Sequence, residues 1–395
     1  MDHRVPPDAP RLHGLDALRL FLMMLGIPFH AALIYTVHAS WLIRSTHDSE
    51  VLTTISILLH SFRMSVFFLL SGFFASLVIR RRGEASWLTA KLVQLGVPLV
   101  VCSLVLTPPQ IFLASLSKFS QPMDHLHDAW NMTCATLAHP SGLWVLHLWF
   151  LIDLLLICIA FGLGWTLLAS APVGAALDRA ERLVDRHPHA AGAPTLTFFL
   201  LATLAVQAFH AALHVREVTL FNGLIQVQST LYFGSFFLFG AFLQSRPGLM
   251  TWFQRFSIVN VLLGCGALVL CVVAARSSTH LAQVSLMFLQ TVSAICIARF
   301  LFWLVMTALH RPVPAIRRAA DAAFTVYLLH HPLVALLGLV CIQYDVPPLI
   351  AWTGIVATTS IVTIAFHQHV VARSTVLSFL LNGRLPRRAR QVATA

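Results

Sequence analysis

A chain of 395 residues with 58% hydrophobic side chains, only 10% charged ones and a net charge of +11 is not an ordinary soluble domain, in which about a quarter of residues are charged. Apolar runs of about 20 residues recur along its length, each enough to cross about 30 Å of hydrocarbon, so the fold class read from the sequence is an all-α polytopic membrane protein. The positive balance gives no case for nucleic acid, because the basic residues sit in short loops between apolar runs, where orientation in a membrane already accounts for them.

In chain order, spans are expected near 15–37, 51–79, 88–115, 144–170, 195–214, 222–244, 254–275, 281–309, 322–342 and 348–371, ten in all. If the N-terminus is cytoplasmic, nineteen of the 26 Lys and Arg residues fall in inside segments. Only Arg44, Lys118, Arg216 and Arg276 fall outside, and Arg19, Arg63 and Arg299 lie within spans. That asymmetry predicts both termini in the cytoplasm. The organisation expected is a cytoplasmic segment 1–14, a transmembrane unit 15–371 and a basic cytoplasmic tail 372–395 suited to anionic lipid headgroups. The first apolar run has no small-residue cleavage site and is too long for a signal peptide, so it reads as a retained span. Two connections are long: 116–143 outside, and 171–194 inside with mixed acids and arginines. The seven cysteines show no CxxC and no metal-ligand spacing, so neither a disulfide framework nor a metal site is expected.

The ionisable residues inside the spans carry the functional signal, since each costs several kcal/mol in hydrocarbon unless it is paired or faces water. The first span reads LDALRLFLMMLGIPFHAALIY. At about 100° per residue, Arg19 and His30 project within about 20° of each other, and Asp16 within about 60° of both. In the second span, HSFRM puts His60 and Arg63 three apart on one face. Run antiparallel to the first span, it brings His60 to the depth of His30. The fourth span opens with HLWFLID, presenting His147, Trp149 and Asp153. The ninth carries YLLHHPL, clustering Tyr327, His330 and His331 beside Pro332, which permits a local kink. Plainer readings stand beside these. Asp16 suits a helix N-terminus, and Trp149 and His147 suit the membrane interface. His367 and His369 suit a headgroup-facing position, and His210 and His214 a surface one. Arg19, Arg63 and His30 also admit a purely structural hydrogen-bond network.

These stretches, with FNGLIQVQSTLYFGSFFLFGAF, resemble the membrane acyltransferases of the acyltransferase-3 superfamily from about residue 14 to about 380. Within it they most resemble the glucans biosynthesis protein C branch, associated with succinylating osmoregulated periplasmic glucans in the bacterial inner membrane. The resemblance implies that the superfamily's essential Arg and His of the first helix fall on Arg19 and His30, and the branch's HSFRM on His60 and Arg63. One departure stands out. Where the superfamily carries Arg-x-x-Arg before a Gly-x-Pro turn in its third span, this chain reads KLVQLGVP, with Lys91 and Gln94; Arg80, Arg81 and Arg82 are candidates to compensate.

The implied partners are acyl-CoA as co-substrate, succinyl-CoA by the branch resemblance, and a periplasmic glucan or other polysaccharide as acceptor, with no permanently bound cofactor. The coenzyme head is expected near Arg80, Arg81, Arg82 and Lys91. His30 is expected as general base or as an acyl carrier, with Arg19 and Arg63 stabilising negative charge. Asp16, His60, His147, Tyr327, His330 and His331 are expected to bind substrate or orient His30. Three alternatives stay open: acetyl transfer to another surface polysaccharide, a carrier or exporter without chemistry, and a membrane partner that recruits a soluble enzyme. The absence of an internal repeat counts against the carrier.

Overall fold

The computed structural model describes residues 13–37, 41–186, 192–212, 219–309 and 313–384. Arg4, Arg11, His214, Arg216, Arg311 and the basic residues beyond Arg384 lie outside the described residues, as does the His210 side chain.

Ten long helices make the bundle: α1 His13–Leu33, α2 Glu50–Arg82, α3 Glu84–Leu116, α4 Leu146–Leu163, α5 Gly192–Ala212, α6 Val227–Ser245, α7 Ile258–Ala275, α8 His280–Ala308, α9 Pro314–Gln343 and α10 Pro348–His369. Among the described residues nine are long and apolar enough to cross a membrane, all but α6. The chain is a multi-pass membrane protein. Outward faces are apolar, as a lipid solvent requires; on α7 alone, Val259, Leu262, Val269 and Val273 are exposed.

The sixth span begins later than its sequence suggests. Residues 219–226 form a small antiparallel hairpin, Thr219–Leu220 against Ile225–Gln226. Its turn places Phe221, Asn222 and Gly223 at positive φ. Asn-Gly is the pair that tolerates this conformation, so FNG is a turn and the helix starts at Val227. The long connections also contain helices: Leu126–Leu137, and the amphipathic Ala171–Arg186. The latter is tied down by Asp178 to Arg246 at 2.8 Å and by Glu181 Oε1, which accepts from the Gly248 N–H at the start of helix Pro247–Phe253.

Packing at the centre is aromatic and close. Phe68 stacks on Phe233 with centroids 4.7 Å apart, and Phe67 meets Phe150 edge-on at 4.9 Å. The α2 and α6 backbones touch at two glycines. A β-carbon on Gly72 would overlap the Phe237 carbonyl, and one on Gly240 the Leu69 carbonyl. Small residues at such contacts let membrane helices approach.

Two prolines loosen the helices that carry histidines. Pro28 has no N–H, and α1 is interrupted at Leu25 between His13–Met24 and Gly26–Leu33; Trp352 on α10 donates to the Pro28 carbonyl at 3.0 Å. Pro332 lies inside α9 and deprives the Leu328 carbonyl of its usual partner four residues on. The end of the bundle where α2 finishes in Arg80–Arg82 is called here the basic end, and the other the distal end.

Candidate active site

Towards the distal end, α1, α2, α9 and the entry to α4 enclose a cavity of about 180 Å³, lined among others by His30, His60, Arg63, His147, Tyr327 and His330. It has room for several water molecules. His147 reaches it because the chain enters α4 through two short 3₁₀ turns with Leu146 at φ 42°. Its Nε2 lies 3.2 Å from the Leu328 carbonyl that Pro332 leaves free. His330 Nδ1 lies 2.6 Å from the Tyr327 carbonyl, and the Tyr327 hydroxyl donates to the His147 carbonyl at 2.5 Å.

These partners fix the tautomers, because a carbonyl only accepts. His147 carries its proton on Nε2 and His330 on Nδ1. That leaves lone pairs on His147 Nδ1 and His330 Nε2, both buried and without a hydrogen-bond partner. His30 Nδ1 is also buried and unpartnered. The His30 ring sits 5.2 Å from His330 and 4.7 Å from His331.

His331 stands behind this group. It stacks on His147 with centroids 4.4 Å apart and planes 9° from parallel. Its Nδ1 meets Gln110 Oε1, while the Gln110 amide donates to the Leu106 carbonyl at 2.7 Å. With its amide thus oriented, Gln110 Oε1 accepts a hydrogen bond from His331 Nδ1–H. Trp41 covers the distal side, 5.0 Å from His331 and 6.0 Å from His30. Neither Gln110 nor Trp41 was singled out in the sequence. The signal for Gln110 was a fully buried amide in an apolar span, which requires an internal partner.

Arg63 is the cation of this cavity. Its side chain is buried, its guanidinium lies 4.6 Å from the centre of the Phe29 ring, and Nε has no acceptor. Among the described residues no carboxylate pairs with it. Gly26 makes the space: a β-carbon there would lie 3.0 Å from Arg63 Nη1 and 3.3 Å from His330 Nε2. His60 stands exposed at the rim, stacked on Phe29 at 5.8 Å.

Four expectations need correction. Arg19 does share a face of α1 with His30, but eleven residues rise about 16 Å along a helix. Arg19 lines a second cleft at the basic end, with Lys91, Gln94, Asp321, Asn382 and Arg384. Asp16 lies in neither cavity; it lines a small cleft with His13 and Arg317. Arg80, Arg81 and Arg82 do not line the basic cleft, to which α2 contributes Ser71 and Ala75. The helix runs on beyond it, and Arg80 instead lies 5.5 Å from the Trp165 ring. His367 is also not headgroup-facing: it is buried, with Nδ1 2.8 Å from Thr325 Oγ1. The histidine cavity and the basic cleft share Met23, Phe67 and Phe150 as lining residues, so these apolar side chains stand between them. No set of three or more His, Cys, Asp or Glu side chains among the described residues converges to hold a metal.

Helix number, lipid-facing surface and buried imidazoles beside a guanidinium with no carboxylate partner among the described residues define a membrane protein with a polar cavity in its interior. Residues 12–367 match the acyltransferase domain family of the acyltransferase-3 type, and the chain belongs to that family. Among curated proteins it is similar to the glucans biosynthesis protein C of Salmonella typhimurium strain LT2, at 29% identity over 98% of both chains. The protein of the same name from Salmonella schwarzengrund is 29% identical over 96% of both chains, and that from Salmonella paratyphi B 28% over 96% of both. No solved structure matches the chain. It is an acyltransferase.

Proposed function

We propose that this acyltransferase moves a succinyl group from succinyl-CoA to a hydroxyl of a periplasmic glucan, in the inner membrane of a bacterium and with both termini cytoplasmic. The observation that carries the reading is the meeting of unpartnered imidazole nitrogens with an unpaired, buried Arg63 in one cavity. The donor's coenzyme head is held at the basic cleft by Arg19 and Lys91, and its pantetheine arm passes Met23, Phe67 and Phe150 to bring the thioester to His30. The glucan enters from the distal end.

In the transfer step His30 takes the proton of the attacking hydroxyl. The hydroxyl oxygen bonds to the thioester carbonyl carbon, and the carbonyl electron pair moves onto oxygen. Arg63 faces that oxyanion with charge already in place, which is where electrostatic catalysis gains most. When the carbonyl re-forms, the carbon–sulfur bond breaks and the thiolate takes the proton back from His30. Atoms and charge balance without a resident cofactor. His331, held by Gln110, and His330, held by Tyr327, keep the imidazole array in place. The glucan acceptor is supported by the name of the relatives, and the succinyl group by the branch resemblance.

The test is a mass spectrum of periplasmic glucans from cells lacking this protein, carrying either the native gene or His30→Ala at equal expression. Succinyl-sized mass additions with the native gene alone support the reading. Their restoration by both versions contradicts the role of His30, and their restoration by neither contradicts the substrate assignment.

A further inference from the structure

We propose that Asn382, Gly383 and Arg384, which lie beyond the family match, form a wall of the basic cleft that binds a phosphate of the acyl donor; this rests on the donor reading above. The sequence suggested a basic tail suited to lipid headgroups here. Instead, residues Thr375–Asn382 form a helix whose N-terminus is capped by Ser374, which accepts from Leu377. The end of that helix is fastened to the bundle by a buried chain of hydrogen bonds. His367 donates to Thr325, and the Thr325 hydroxyl donates to Asn382 Oδ1 at 3.1 Å.

That chain uses only the oxygen of the Asn382 amide. Its Nδ2 is buried and has no partner, in a side chain only 4% exposed that lines the cleft. A buried N–H donor without an acceptor is costly and marks a place for one. Gly383 then turns the chain at φ 58° and lies against the π-helical turn Leu92–Gly96 of α3. A β-carbon on it would overlap the Gln94 backbone, so only glycine permits this seat. The next residue is Arg384. Its nearest carboxylate is Asp321 at 3.8 Å, in a loose pair with the two side chains 47% and 61% exposed, and Nη2 also donates to the Asp321 carbonyl at 3.5 Å; both contacts are long and solvated, so the guanidinium can exchange them for a ligand.

The cleft thus gathers Arg19, Lys91 and Arg384 against one acid, Asp321. Lys91 Nζ is engaged with Gln94 Oε1 at 3.1 Å, so Gln94 adds no cation of its own. Arg384 brings a guanidinium from a distant part of the chain to the side of the cleft where Gln94 stands. A planar fork beside an amide donor suits phosphate oxygens better than a point charge.

The experiment is coenzyme A binding by the full chain in lipid nanodiscs, measured calorimetrically. Arg384→Gln weakens binding about tenfold or more, the scale of one lost charge-assisted hydrogen bond, and Arg384→Lys recovers part of the loss. Asn382→Asp keeps the acceptor for Thr325 but puts an anion in place of Nδ2, and weakens binding at least as much. Asp321→Asn tightens it. Unfolding temperatures equal to the native value establish that each variant is folded. If the native chain binds coenzyme A and both Arg384→Gln and Asn382→Asp bind it equally well, this inference is overturned while the donor reading stands. If the native chain binds no coenzyme A, the donor reading fails and takes this inference with it.

Discussion

The histidine cavity and the basic cleft lie along one face of α1 and share three lining side chains, yet they are built by opposite means. In the cavity Arg63, His147 and His330 are buried and the imidazoles are individually oriented: Leu328 and Tyr327 carbonyls and Gln110 set which nitrogen of His147, His330 and His331 bears the proton. In the cleft, Arg19 and Arg384 are exposed, and the cations come from α1, α3 and the C-terminal segment with no such aiming. Position decides whether a proton can be transferred, whereas a polyanionic head responds mainly to the sum of nearby charge. Substitutions in the cavity therefore act on turnover, and those in the cleft on donor affinity.

The largest expected effect is that of His30→Ala, which lowers the rate of acyl transfer about 10³-fold or more if it is the base. Single-turnover assays with saturating donor read that loss directly. Arg63→Gln follows, with a fall of about 10²-fold in kcat as oxyanion stabilisation is removed; an effect confined to KM would place Arg63 in ground-state binding instead. Gly26→Ala inserts a methyl group against Arg63 and His330 and lowers kcat by about tenfold through misplacement, with the donor KM unchanged. Arg19→Gln moves the other quantity: donor KM rises about tenfold, the scale of a charge-assisted contact, and kcat holds. The smallest change is Gln94→Arg, which adds a cation to the cleft and lowers donor KM a few-fold. If Arg19→Gln changed kcat alone, or Gly26→Ala changed KM alone, the division between the two regions would fall.

The bundle was legible because lipid imposes long apolar helices, and the polar stripe of α1 because helical periodicity maps spacing to direction. HSFRM and YLLHHPL were legible as stretches that face an internal cavity, because charges and imidazoles in hydrocarbon need an explanation. Depth was harder to read. Spacing placed Arg19 and His30 on one face but not in separate cavities. Arg80–Arg82 drew attention as a charge cluster, although the cleft lies further back along α2. Least legible was Arg384. Its place depends on Gly383 fitting against Gln94 and on the His367–Thr325–Asn382 chain, contacts between residues far apart in the sequence that leave no periodic trace. The FNG turn, by contrast, was readable from Asn-Gly chemistry and was hidden by the apolar residues around it.

The most direct test of the division is one assay on purified protein in nanodiscs, in which coenzyme A binding and succinyl transfer to glucan are measured on the same His30→Ala preparation. The account predicts coenzyme A affinity equal to that of the native chain and transfer lowered about 10³-fold. Transfer at the native rate would contradict it, because the histidine cavity would then not be where the acyl group changes hands.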